Sequence, residues 1–197
     1  MPRRDFSAQE EVSTIDSMSQ GRTYTYADLE AFPDDGLRRE IIDGELFVTP
    51  APYLRHQRIL RELAWMFMTY LKAHGGGEML FAPADVVFSD TNVVEPDLLF
   101  VPDDRRGILT DKNIQGSPAL VVEVASDTRM DRVRKRGLYE RFGVPEYWVA
   151  DPEADRIEVY RLTQDGYAKP VIFEPPETLL YDRLPGLSID LAALFAR

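Results

Sequence analysis

The 197-residue chain contains no cysteine. That removes thiol nucleophiles, Fe–S clusters, thiolate zinc sites and disulfide frameworks. The absence also fits a reducing, cytoplasmic location. Histidine is scarce, with only 2 in the chain, and there is no Gly-x-Ser-x-Gly segment. A Ser/His/Asp esterase therefore fits poorly. No apolar run approaches the roughly 18 residues that a membrane helix needs, so no membrane span is expected. The basic start, Met1-Pro2-Arg3-Arg4, is not followed by an apolar stretch and does not read as a secretory signal. Positive charge is short as well. The 23 Lys+Arg stand against 34 Asp+Glu, for a net charge of −11. That balance argues against a broad cationic surface for nucleic acid.

What is present suffices for a folded body. Hydrophobic residues make up 44%, and a chain of this length buries roughly 70% of its unfolded surface without staples. Residues 1–21 are polar and aperiodic and read as a disordered tail. Residues 22–197 read as a single domain. A Thr-capped short helix is expected over Thr23–Phe32, ended by Pro33 and Gly36. Asp43-Gly44 between two β-prone runs predicts a hairpin over Arg39–Val48. Apolar residues from Ile59 to Leu71, Trp65 among them, recur at spacings of three and four and predict a helix over His56–His74. Gly75, Gly76 and Gly77 stop it. Strands are expected at Glu78–Phe81, Asp85–Phe88 and Asp97–Val101. The almost wholly apolar run Ala119–Ala125 suits a central strand covered on both faces. Ser126-Asp127-Thr128 then caps a helix over Arg129–Phe142. Strands at Glu146–Ala150, Arg156–Leu162 and Val171–Phe173 follow, and a short helix closes the chain at Leu191–Phe195. The result is an α/β domain, with a mixed sheet flanked by two main helices, an N-terminal hairpin and a C-terminal β-rich section.

One residue breaks the central strand: Glu123. A buried carboxylate is costly unless it is paired or holds a metal. Two readings fit, a structural ion pair with a nearby Arg or Lys, and a metal ligand. Asp97 opens the preceding apolar strand. If the two strands are neighbours, the two carboxylates converge and repel unless a cation lies between them. Oxygen-only ligands favour a hard cation such as Mg²⁺, or Mn²⁺ in its place. On the following helix Asp131, Lys135 and Tyr139 fall at i, i+4 and i+8. This is either an ordinary surface acid–base pair or a face that returns over the carboxylates. In the second case the lysine ammonium stabilises a phosphate oxygen or positions a water. Arg132, Arg134 and Arg136 cluster beside it and are the candidate DNA-binding residues.

Asp97 after Pro96, then Glu123 in a strand, then a nearby lysine, resembles the PD-(D/E)XK nuclease superfamily with its restriction endonuclease-like fold. The segments Arg39–Leu46, His56-Gln57, Ala82–Val86, Glu95–Asp97, Leu120–Ser126 and Gly143–Pro152 together resemble a bacterial family of small restriction-endonuclease-like proteins. The likeness covers roughly residues 23–170. It implies that Asp97 and Glu123 are metal ligands, with Glu40 an additional acidic residue. The superfamily places a lysine two residues after the glutamate, where this chain has Ala125. The resemblance therefore nominates Lys135, from the following helix, as the catalytic lysine. His56 and Asp85 are family-like positions with accessory roles, and His56 is equally readable as a helix-start residue. Tyr139 and Trp148 read as core. The function implied is Mg²⁺-dependent hydrolysis of DNA phosphodiester bonds by a homodimer, with Trp148 and Tyr160 available at the subunit contact. A catalytically inactive nuclease-fold module acting through protein partners is the alternative, and a hydrolase of another phosphorylated molecule fits the same residues.

Overall fold

The computed structural model describes residues 21–49, 52–125 and 130–196. Of the tail expected over residues 1–21, residues 1–20 lie outside the described residues. So does the Ser126-Asp127-Thr128 cap, with Arg129 next to it.

The chain enters through α1 (Tyr26–Ala31). The Asp28 carboxylate accepts hydrogen bonds from the Thr25 N–H and hydroxyl, both at 2.9 Å, which fixes the helix start. Strands β1 (Arg38–Ile42) and β2 (Glu45–Thr49) form the expected antiparallel hairpin. Asp43 and Gly44 turn it with φ of 53° and 77°. Two consecutive positive φ values are what the tight hairpin turn demands. Helix α2 (Leu54–His74) follows. Ile59, Leu63 and Phe67, four residues apart, form its buried face. Trp65 departs from the expected pattern and is 68% exposed. Two positions from both Leu63 and Phe67, it points to the opposite side of the helix.

Strands β3 (Gly77–Phe81), β4 (Val86–Ser89), β5 (Asn92–Val94) and β6 (Leu98–Pro102) come next. After a 3-10 turn (Asp103–Ile108) come β7 (Ile114–Gln115) and β8 (Leu120–Val124). The helix expected over 129–142 begins, in its described part, as a π-helical turn over Met130–Lys135 and continues as α3 (Arg136–Arg141). Strands β9 (Glu146–Asp151), β10 (Arg156–Thr163), β11 (Gly166–Tyr167) and β12 (Val171–Phe173) complete the main sheet. A ribbon of β13 (Thr178–Leu180) and β14 (Ser188–Asp190) leads into the terminal turn α4 (Leu191–Leu194).

The fold is mixed α/β, as expected, but its strands divide among several sheets. Among the described residues the larger sheet has seven strands, ordered β11-β10-β9-β8-β6-β3, with β12 also on β10. Its β8–β9 pair is parallel and the others are antiparallel. A second sheet of five runs β2-β1-β5-β4-β7. The two faces of the larger sheet bury separate cores, as alternation along its strands requires. Leu120, Val122, Val124 and Trp148 face α2 and meet Ile59, Leu63 and Phe67. Val121, Tyr147 and Val149 face the other way and meet Leu138 and Tyr139 of α3 and Ile42 of the second sheet. Burial of one large apolar side chain contributes roughly 1.5–3 kcal/mol. Trp148 is fully buried against Phe67, and Tyr160 is 5% exposed. Neither lies on the surface, so the expected subunit contact through these rings is corrected: they pack inside the chain's own core. Among the described residues, no helix is long and apolar enough to cross a membrane.

Candidate active site

Strand pairing creates the site. β6 and β8 are antiparallel with Leu98 opposite Val122. Continuing that register sets Asp97 opposite Glu123, on the face that receives α3 and the second sheet. Asp97 immediately precedes β6, and its Oδ2 accepts from the Val124 N–H at 2.8 Å. His56, at the start of α2, reaches the same Oδ2 through Nε2 at 3.0 Å. The Nδ1 of that ring is buried without a hydrogen-bond partner.

Glu123 is held from the other side. Its Oε1 accepts from Lys135 Nζ at 3.0 Å and from the Tyr139 hydroxyl at 2.8 Å. Lys135 is the last residue of the π turn and Tyr139 lies one turn into α3. Lys135 also lies 2.9 Å from Glu40 Oε1. Glu40 projects from β1 of the second sheet, and the same oxygen accepts the Glu95 N–H at 2.8 Å. Its other oxygen, Oε2, is buried without a partner. The structure thus brings Glu40, His56, Asp97, Glu123, Lys135 and Tyr139 into one buried cluster. Asp131 is buried and close enough to Glu123 to influence its charge.

Two members of the cluster were not foreseen. Arg38 lies two residues before Glu40, on the same face of β1. Its Nη1 donates to Asp97 Oδ1 at 3.0 Å, and its Nη2 binds the Glu95 carbonyl. That Nη2 lies 3.6 Å from Glu40 Oε1 and 3.8 Å from Glu123 Oε2. Glu95 supplies backbone groups on both sides, to Glu40 and to Arg38. The period-2 alternation of Arg38, Glu40 and Ile42 was the available signal: once Glu40 was nominated, Arg38 had to share its face.

Charge balance follows from this geometry. Burial pushes the Glu123 carboxyl up to about 8, with Asp97 adding to the push and Lys135 and Arg38 opposing it. Burial also works against ionised Asp97, but the His56 hydrogen bond, Arg38 and Lys135 outweigh it and hold the carboxyl at about 2. Burial disfavours the charged form of Lys135, yet Glu123 and Glu40 prevail and raise its pKa. Arg38 is raised by the same reasoning, against burial, by Glu123, Glu40 and Asp97. Glu95 is pushed up to about 7 by burial.

The other nominated residues lie elsewhere. Asp85 lines a cleft of about 600 Å³ with Glu95, Tyr26, Phe32, Arg39 and Lys112. Burial raises its carboxyl. Arg132 is engaged by Glu158 at 3.1 Å and Asp151 at 2.7 Å. Arg134 pairs with Glu45 at 2.6 Å, and Arg136 lies over the Tyr160 ring. These three arginines are not part of the carboxylate cluster.

A hard divalent cation fits the residues present. Among the described residues no three His, Cys, Asp or Glu side chains form a ready metal cage. Mg²⁺ does not require one, since it takes one or two carboxylates and keeps several waters. Asp97 and Glu123 supply oxygen donors only, and the orphaned Glu40 Oε2 is a further acceptor facing an incomplete charge balance.

Comparison with known proteins gives the chain's family and fold. No curated protein matches the chain. Among solved structures, a "putative nuclease belonging to DUF820 from Anabaena variabilis ATCC 29413" superposes with a TM-score of 0.73 at 19% identity. The match covers 87% of this chain and 97% of that one, and it shows that the two share the restriction endonuclease-like fold. The Uma2 family model, described as "Putative restriction endonuclease", matches residues 25–192. Because the match spans nearly the whole described chain, from α1 to the final turn, the protein belongs to the Uma2 family.

Proposed function

We propose that the chain is a metal-dependent nuclease that hydrolyses phosphodiester bonds of DNA, with Asp97 and Glu123 as the ligands of Mg²⁺ or Mn²⁺. One observation supports this reading above the others. Asp97 and Glu123 face each other across the β6–β8 pair with Lys135 3.0 Å from the glutamate. A divalent ion bound there supplies Lewis acidity, polarising a phosphate and acidifying a water. The chain's own residues do the rest. The Val124 N–H and His56 fix Asp97 in place, and Tyr139 fixes Glu123. The Lys135 ammonium, held by Glu123 and Glu40, is a preorganised positive charge for the negative charge that develops on the phosphate. Glu40 positions Lys135, 2.9 Å from its Nζ. The family's description and that of the Anabaena protein both point to nuclease chemistry.

The test is cleavage of supercoiled, linear and single-stranded DNA with Mg²⁺ or Mn²⁺. Wild type should nick or cut at least one form, while Glu123→Ala and Lys135→Ala should not. Equal inertness of wild type and Glu123→Ala on every form rejects active catalysis. One observation favours a second reading, an inactive nuclease-fold module that acts through protein partners: Arg38 and Lys135 already neutralise both carboxylates. Calorimetry showing no heat with Mn²⁺ supports that module over the enzyme.

A further inference from the structure

We propose that Arg38 is a built-in competitor for the divalent ion, its guanidinium occupying the place between Asp97 and Glu123 that the ion takes on binding. The proposal rests on the metal-dependent reading above and concerns how the ion gains access.

The argument comes from counting oxygens. Each carboxylate has one oxygen committed elsewhere. Asp97 Oδ2 accepts from His56 and from the Val124 N–H. Glu123 Oε1 accepts from Lys135 and Tyr139. The two remaining oxygens, Asp97 Oδ1 and Glu123 Oε2, are the pair left for a cation. Both face Arg38, at 3.0 Å from Nη1 and 3.8 Å from Nη2. Lys135 is not the competitor, because it engages only Oε1 and Glu40. A guanidinium and a divalent ion on the same two oxygens repel each other, so one excludes the other.

The arginine also has a way out. Its side chain is 22% exposed, against 4% for Lys135. Its Nε is buried without a hydrogen-bond partner and has only the Glu95 carboxylate near it, at 3.8 Å, so the guanidinium's hydrogen bonds are all made at its tip. A planar fork of this kind suits a phosphate as well as a carboxylate. The ion therefore displaces a group that can re-pair at the open side of the site, while Lys135 stays in place.

Mn²⁺ titration by calorimetry of wild type, Arg38→Met and Arg38→Lys tests this, with folding of each checked by circular dichroism. Arg38→Met should bind Mn²⁺ about tenfold tighter than wild type or better, since the competing cation is gone. Arg38→Lys should fall between them, because an ammonium does not bridge both carboxylates. Should Arg38→Met fail to fold, Arg38→Lys and the wild type still decide the matter. In ¹⁵N-labelled wild type, the Arg38 Nε–H signal, identified by its loss in Arg38→Lys, should shift on addition of Mg²⁺. Equal or weaker Mn²⁺ binding by the folded variants, or an unmoved signal in Mg²⁺-saturated protein, overturns the proposal and leaves the metal-dependent reading standing. Absence of Mn²⁺ binding by every form overturns both.

Discussion

Glu123 and Asp97 face each other, yet their environments drive them in opposite directions. The Glu123 carboxyl stands at about 8 because burial dominates, above its ordinary value of 4.5. A carboxyl raised on folding stabilises most below its unfolded value, and that contribution is lost as pH rises through the folded value. Asp97 behaves conversely. Its stabilisation is present above its ordinary value of 3.8 and is lost as pH falls through about 2. Between the two ordinary values and pH 8, then, Glu123 alone of this pair should erode stability, by up to about 1.4 kcal/mol per pH unit. Urea unfolding of wild type and Glu123→Gln from about pH 5 to about pH 8 checks this, and the variant should show a flatter profile. A profile unchanged by the substitution would contradict the assignment. The carboxylates were legible in the sequence because each breaks an apolar run, and a charge in such a run demands a partner. For Arg38 the alternation of β1 gave only its face, and its reach to Asp97 depends on how the two sheets meet.

At the scale of elements, junctions matter most. Three glycines link α2 to β3, the third opening the strand, all with positive φ, but their surroundings differ. A Cβ on Gly75 meets open space, whereas one on Gly77 lies 2.5 Å from the Val101 carbonyl and 2.6 Å from the Phe100 ring. Gly75→Ala should cost roughly 1 kcal/mol, from backbone strain alone. Gly77→Ala adds a clash in the β3–β6 pair and should cost roughly 2–4 kcal/mol. Thermal denaturation of the two variants measures the difference, and equal melting temperatures would refute it. The glycine run was readable as a helix stop, but the tight approach at its third member was not, since it depends on a strand some 24 positions later. The long helix α2 declared itself by period and length, and β8 by its almost wholly apolar run. The two- and three-residue strands β5, β7, β13 and β14 are too short for alternation to register. The π turn before α3 also has no signature in composition, and it changes how Lys135 is delivered. The spacing argument placed Asp131, Lys135 and Tyr139 on one α-helical stripe, while the chain uses a wider turn and then an α-helix to bring the last two onto Glu123.

For the whole molecule, the net charge of −11 is distributed with purpose. Several of the acids are concentrated in one buried cluster, and on the proposed reading they would attract a small cation and not a polyanion. A ligand that binds only the folded form stabilises it by mass action. Mn²⁺ at about 100 times its dissociation constant should therefore add about 2.7 kcal/mol, raising the melting temperature by roughly 5–10 °C. A scan with and without Mn²⁺ measures it, and Asp97→Asn should abolish the shift. The α/β class was readable from the sequence, because helical and strand-like runs alternate along it. The split into separate sheets was not, because it turns on the short strands and on which edges they join. It is nonetheless the split that makes the site, with Glu40 and Arg38 arriving from one sheet and Asp97 and Glu123 from the other.

The strand that bears Glu123 has one more consequence, for folding. β8 is apolar on both faces, so its leucine and valines tolerate a slip along β6 or β9 almost equally well. Glu123 does not. A one-residue slip exchanges the faces and turns the carboxylate away from Lys135 and Tyr139 into the core beside Phe67, where an unpaired charge costs several kcal/mol. The acid proposed as a metal ligand therefore also proofreads strand alignment, and a chain that folds around it out of register is penalised before it can persist.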